Sequence, residues 1–363
     1  MNTTAPLSRR LALCLALALV TAACGNGDAP SETTDTPADA GSDDLVTIRL
    51  VTHDSFNASE DVLAAFTQDT GIGVEVVPLG DAGSLVNQAI LRAGDPPGDV
   101  LYGIDNTFLS RATDAELFTA YEAEGLDHVD PKFVPDAKHA VTPIDFGDVC
   151  INYDREWFAD NDLAVPENLD ALTEPDYAGL LAVQNPATSS PGLAFLLASV
   201  EHFGEDAYLD FWQDLRDNDV LVTNDWSQAY YEEFTLVGGE RPLVVSYASS
   251  PPAEVYFADP QPDVAPTGVM DRSCFRQIEY AGILAGTEYE TEAQQLIDFL
   301  LTPTFQEDVP LNMFVFPVTT DAALPDVFAE HAVIPDDPFE LDPDTIGAQR
   351  DTWIEAWTAT VLR

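Results

Sequence analysis

Residues 46–105 read VTIRLVTHDSFNASEDVLAAFTQDTGIGVEVVPLGDAGSLVNQAILRAGDPPGDVLYGID, and this stretch decides the fold class. Val46–Thr52 alternates as a strand. Ser59–Gly71 follows as a helix, with Ser59 placed to cap its start, Val62, Leu63 and Phe66 on one face, and Gly71 where the chain must leave the helix. Val74–Leu79 is a second strand. Ser84–Ala93 is a second helix, carrying Leu85, Ala89 and Ile90, and Val100–Ile104 is a third strand bounded by Asp99 and Asp105. Strands alternating with helices of this length predict βαβ units on a parallel sheet.

The pattern recurs downstream. Leu180–Gln184 and Leu243–Tyr247 read as strands, and Gly192–Phe203 and Ala207–Asn218 as helices. The expected architecture is therefore α/β with two lobes, a hinge and a ligand cleft between them. Lobe 1 is expected over 45–147, lobe 2 over 148–274, a return to lobe 1 over 275–325, and a C-terminal helical segment over 326–363. The last segment ends in the helix Asp344–Leu362, where Trp353 and Trp357 share a face and are expected to pack. Ligands of such folds lie in the crevice at the carboxyl ends of strands.

The N-terminal residues are an address. Residues 1–23 combine Arg9-Arg10 with the uncharged run Leu11–Ala23, too short to span a bilayer and typical of a signal peptide. Thr21-Ala22-Ala23-Cys24 is similar to a bacterial lipobox, in which the cysteine is lipidated; the alternative is an ordinary secretory signal with an incidental cysteine. Residues 25–44 are Gly, Ser, Thr, Pro and Ala with acids and no base, a solvated tether. Export and lipid anchoring to the outer face of a bacterial cell membrane are expected. Of the four cysteines, Cys14 leaves with the signal. Cys150 and Cys274 remain in an oxidising compartment, in segments 148–153 and 274–279 that read as strands, and are expected to bond to each other rather than stay as separate buried thiols.

The chain has 363 residues and a formal net charge of −50, from 14 Lys and Arg against 64 Asp and Glu. That balance rules out nucleic-acid binding as a default, since a phosphate backbone needs a clustered basic surface, and protein charge disfavours docking on anionic lipid. There is no Gly-x-Ser-x-Gly elbow, phosphate-binding loop, His-Glu-x-x-His or Cys-x-x-Cys, and the five histidines are scattered. Neither catalysis nor a metal site is expected. What stands out are polar and aromatic residues on loops: His53 after the first strand, Asp81 before the second helix, Asp105 after the third strand, and Thr188-Ser189-Ser190-Pro191-Gly192 leading into a helix N-terminus. Asn224-Asp225-Trp226-Ser227-Gln228-Ala229-Tyr230 and Ser246-Tyr247-Ala248-Ser249-Ser250-Pro251 complete the set.

In order and spacing, the Thr-Ser-Ser-Pro-Gly-Leu, Trp-Ser-x-Ala-Tyr and Ser-Tyr-x-x-Ser-Pro runs resemble the thiamine-binding proteins of bacterial ABC importers. The resemblance extends from Val46 to the Ala348–Trp357 stretch. It implies a type II periplasmic-binding fold that closes on thiamine or its phosphates and delivers it to a permease and its ATPase, with no cofactor of its own and as a monomer. It also implies aromatic contacts from Trp226 and Tyr247, a ligand-binding carboxylate at Asp81, and Ser189, with Ser190 beside it, at the hydroxyl or phosphate end. Asp105 is expected to line the cleft. His53 stands where the family has a Tyr, Phe314 where it has a Trp and Ala253 where another Tyr would fall, so ligand preference is open. Each site residue also has a plainer reading, Asp81 and Ser189 as helix caps and the aromatics as core. The adjacent Tyr230-Tyr231 keeps a ferric-ion-binding relative in view, and a two-lobed exported hydrolase or transferase is the rival of another class.

Overall fold

The structure, a computed structural model, describes residues 45–135 and 138–363. The leader, Cys24 and the acidic tether lie outside the described residues. Ten strands join one sheet among these: β1 (Val46–Thr52), β2 (Ile72–Pro78), β3 (Val100–Asp105), β4 (Phe118–Thr119), β5 (Thr142–Asp154), β6 (Leu181–Gln184), β7 (Leu221–Thr223), β8 (Leu243–Tyr247), β9 (Thr267–Leu284) and β10 (Phe316–Pro317). The longer helices are α1 (Glu60–Thr70), α2 (Ala82–Leu91), α3 (Ser190–Phe203), α4 (Tyr208–Asp217), α5 (Glu290–Leu300) and α6 (Pro343–Val361).

Hydrogen bonding runs β2–β1–β3–β9–β5–β8–β6–β7, with β4 added to β9 and β10 to β5. β1 is parallel to β2 and β3, and β6 is parallel to β7 and β8. These are the βαβ units of the two lobes, one on each side of an antiparallel centre made by β5 and β9. Helix ends follow the expected chemistry. Ser59 accepts from Val62 N to cap α1, and Gly71 ends it at φ +74°. α2 begins earlier than its apolar spacing suggests, because Asp81 accepts from Ala82 N and starts the helix there.

The two central strands are too long for one lobe, at 13 and 18 residues. In lobe 1, β3 pairs with Glu279–Ile283 of β9. In lobe 2, β8 pairs with Val149–Tyr153 of β5. Both strands begin well before their expected positions. They are buried along nearly all their length, so they lack the alternation that marks a strand in sequence. Residues 147 and 274, near which changes of lobe are expected, fall inside these strands.

At that crossing the ladder breaks. Val149 pairs with Phe275 but Ile151 pairs with Met270, so β9 carries a bulge. Ser273 repairs it: its hydroxyl accepts from Ile151 N at 2.8 Å and donates to Met270 O at 2.7 Å. Cys150 and Cys274 meet across the bulge and are joined by a disulfide, fully enclosed with Ala248. The C-terminal helix fastens the two lobes from outside. Trp353 and Trp357 are buried as expected, with Trp357 edge-on to Trp212 of α4 at 5.5 Å. Its Arg350 lies over the Phe108 ring at 5.8 Å on the first-lobe side.

The disulfide closes 124 residues of sequence, so the chain-entropy account assigns it about 4–5 kcal/mol. Replacing both cysteines by Ala is expected to lower the denaturant midpoint accordingly. An unchanged midpoint would contradict a structural role for the bond.

Candidate functional site

Where the lobes face each other lies a cleft of about 440 Å³. Its lining includes His53, Asp81, Ser190, Trp226, Tyr247 and Phe314 among the residues expected from sequence.

The second lobe supplies the aromatic wall. Asp225 accepts from Gln228 N at 2.8 Å and caps the short turn that carries Trp226. The indole Nε1 donates to Ser246 Oγ at 3.0 Å. Its ring stacks on Tyr230, centroids 5.0 Å apart and planes 18° apart, and meets the edge of Tyr231 at 5.2 Å. This fixes Trp226 without covering it. Tyr247 leaves the end of β8 and lies against Gly147 of β5, where an added Cβ would sit 3.0 Å from the ring. Phe314, at φ +54°, packs 5.6 Å from Phe257.

The first lobe supplies charge. Asp81 is fully committed: one oxygen accepts from Ala82 N at 2.7 Å, and the other accepts from Trp226 N at 3.3 Å across the cleft. Burial pushes its pKa up, opposed by the nearby Ser189 hydroxyl, by Ala82 N, by His53 and by Trp226 N. Beside it, Gly83 lets the lobes approach closely, since a Cβ there would be 2.8 Å from Thr188 O. His53 Nδ1 accepts from Ser55 N at 3.2 Å, and Nε2 lies 3.5 Å from Glu279 Oε2. Gly103, at φ +95°, makes room for this ring; a Cβ would be 2.1 Å from His53 Cδ2. Burial lowers the His53 pKa, but Glu279, Asp81 and Asp145 outweigh it and leave it raised. Below the cleft, the Tyr102 hydroxyl donates to the enclosed Asp145, whose pKa burial and Glu279 push far up.

Two expectations are corrected. Asp105 does not line the cleft: it is fully enclosed, with one oxygen accepting from Thr107 N, Thr107 Oγ1 and Phe108 N at 3.0, 2.7 and 3.1 Å. Ser189 is likewise enclosed and is not among the cleft-lining residues, its hydroxyl lying beside the Asp81 carboxyl. Ser190 does reach the cleft. Glu279, Glu254 and Phe257 were missed. A carboxylate inside the otherwise apolar run 278–284 was the one available signal for Glu279, since a charge there needs a reason. The cleft lining holds four carboxylates, from Asp54, Asp81, Glu254 and Glu279, and no Lys or Arg among the described residues. No group of three or more His, Cys, Asp or Glu among them is arranged to hold a metal ion.

Residues 95–335 match the family described as "Bacterial extracellular solute-binding protein". Among curated proteins, the chain is similar to the thiamine-binding periplasmic protein of Escherichia coli, 31% identical over 322 residues, which cover 87% of this chain and 94% of that one. The protein of the same name from Salmonella typhimurium is 30% identical over 321 residues, 87% and 94% of the two chains. Among solved structures, a periplasmic thiamin binding protein superposes with a TM-score of 0.78 at 28% identity, covering 89% of this chain and 98% of the other.

Enclosure raises the Asp105 pKa from 3.8 to about 6, against hydrogen bonds from Thr107 and Ser190 and with Glu279 adding to the rise. The folded state therefore binds this proton more readily than the unfolded chain. The associated stability is fully present below pH 4 and is lost as pH rises through 6, up to about 3 kcal/mol. Asp105→Asn is expected to gain on the unmodified protein by about 1–3 kcal/mol between pH 4 and pH 7, read by urea unfolding at each pH. A difference constant across that range would contradict the assignment.

Proposed function

The chain belongs to the bacterial extracellular solute-binding protein family, and from that premise we propose that it is the capture component of an ABC importer whose cargo is thiamine or its phosphate esters. It binds and does not catalyse. The observation that carries the reading is the pairing of an aromatic wall (Trp226, Tyr231, Tyr247, Phe314) with four carboxylates and no Lys or Arg in the cleft lining. Thiamine is a flat thiazolium cation joined to an aminopyrimidine and a hydroxyethyl arm. Its charge suits stacking on electron-rich faces, worth about 0.5–2 kcal/mol each, and its amino group suits a carboxylate acceptor. The curated relatives named for thiamine binding support the same cargo.

Capture proceeds by the lobes coming together over the ligand. Asp81 caps a first-lobe helix and accepts from the backbone of Trp226, so the contact that draws the lobes together also seats the stacking ring. We extend the proposal to an exported monomer, anchored through lipidated Cys24 on the outer face of the membrane and feeding a permease and its ATPase. Ferric binding is not favoured by this arrangement. The Tyr230 hydroxyl donates to Glu254 at 2.7 Å, and burial with the Glu254 charge pushes its pKa far up, whereas ferric ligation needs tyrosinate.

Calorimetric titration is expected to give one tight thiamine site and no ferric citrate binding. Trp226→Ala is expected to weaken thiamine at least tenfold, the loss of a stack worth about 1.4 kcal/mol. An unchanged affinity would remove Trp226 from the site.

A further inference from the structure

Four carboxylates reach the cleft, but they are not equally available. Both oxygens of Asp81 accept from backbone N–H groups, at 2.7 and 3.3 Å. Asp54 accepts from Gly80 N at 2.9 Å, and Glu254 holds the Tyr230 hydroxyl. Glu279 differs. Its two oxygens lie 3.5 Å from Gln277 Nε2 and 3.5 Å from His53 Nε2, both at the outer limit of hydrogen bonding. Its side chain is 10% exposed, yet no donor holds it at ordinary distance. A carboxylate so enclosed demands a compensating charge. His53 is the only group among the cleft-lining residues able to supply one.

We propose that Glu279 is the carboxylate that receives the ligand's positive charge, and that His53 is the counter-ion displaced to make this possible. This rests on the thiamine reading given above. In the empty cleft a protonated His53 balances Glu279 through Nε2, and protonation of Nδ1 costs only the long bond accepted from Ser55 N. When the thiazolium cation arrives, the imidazolium gives its proton to solvent, and the ligand's fixed charge takes that place; one cation enters and one proton leaves. The groups facing His53 from the surrounding elements are Glu279 on β9, Asp81 at the head of α2, Asp145 on β5 and the Tyr102 ring on β3 at 6.3 Å. Apart from Tyr102 all are carboxyl groups, and they leave the His53 pKa raised despite its burial, so the imidazolium persists to higher pH than in a free histidine. Gly103 keeps the ring at this position.

The test is the pH profile of thiamine affinity between pH 6 and 8, above the range where the ligand's own pyrimidine protonates, together with titration of the unmodified protein in two buffers of different ionisation enthalpy. Affinity is expected to rise with pH, by about three- to tenfold over that span, with release of up to one proton per thiamine bound. His53→Gln is expected to flatten the profile. Glu279→Gln is expected to weaken binding at least tenfold at pH 8 and to lose the proton release, while Glu279→Asp restores part of both. Tight thiamine binding with no proton release in either buffer overturns the exchange of cation for proton. A Glu279→Gln variant that binds as the unmodified protein does overturns the role of Glu279. Absence of thiamine binding at any pH overturns the cargo itself, and this inference with it. The two-buffer measurement needs no variant and stands even if a replacement fails to fold.

Discussion

Everything in this molecule hangs on the antiparallel pairing of β5 with β9. Each strand gives one half to one lobe and the other half to the second, so the sheets of both lobes grow outward from the same pair. The pair must also change register where it passes between lobes. There the Ser273 hydroxyl replaces ladder hydrogen bonds, and the Cys150–Cys274 disulfide locks the bulge. Glu279 of the cleft lining, and Gly147 against which the cleft's Tyr247 packs, are residues of the crossing strands themselves. The scaffold and the site are therefore one construction, in which β9 itself places Glu279 in the cleft lining with its nearest donors, Gln277 Nε2 and His53 Nε2, at 3.5 Å.

The carboxylates around the cleft divide the work. Asp81 closes the lobes, Asp145 and Asp105 are enclosed beneath, Glu254 orients Tyr230, and Glu279 faces the space a ligand would fill. In a chain with a net charge of −50, carboxylates are uninformative by number, and only their partners tell them apart. Opposite them, Trp226 is held by stacking on Tyr230 and by its bond to Ser246. Its orientation is thus set before a ligand arrives, which reduces the ordering cost of binding.

Much of this was legible in the sequence where local chemistry sets structure. Residues 46–105 announced their βαβ units through alternation, the Ser59 cap and Gly71, and Trp226, Tyr247 and Asp81 stood out as aromatic and acidic residues at loops and strand ends within the motifs shared with the family. What was not legible depends on distant pairing. The early starts of β5 and β9 were hidden because strands buried on both faces do not alternate. Ser189 and Asp105 read as cleft residues from their place at a helix start and a strand end and from the family resemblance, but both are enclosed, the second with its carboxylate held inward by Thr107 and Phe108. Glu279 was passed over because its importance arises from His53, 226 positions away in sequence, and from the glycine at 103 that seats that ring.

The most direct measurement is a crystal structure of the protein with thiamine bound. The account predicts the ligand enclosed between the lobes, its aromatic rings against Trp226 and Tyr247 and its positive charge within contact distance of Glu279. A ligand bound outside this cleft, or lying in it with Glu279 still paired to His53 and turned away, would contradict the account.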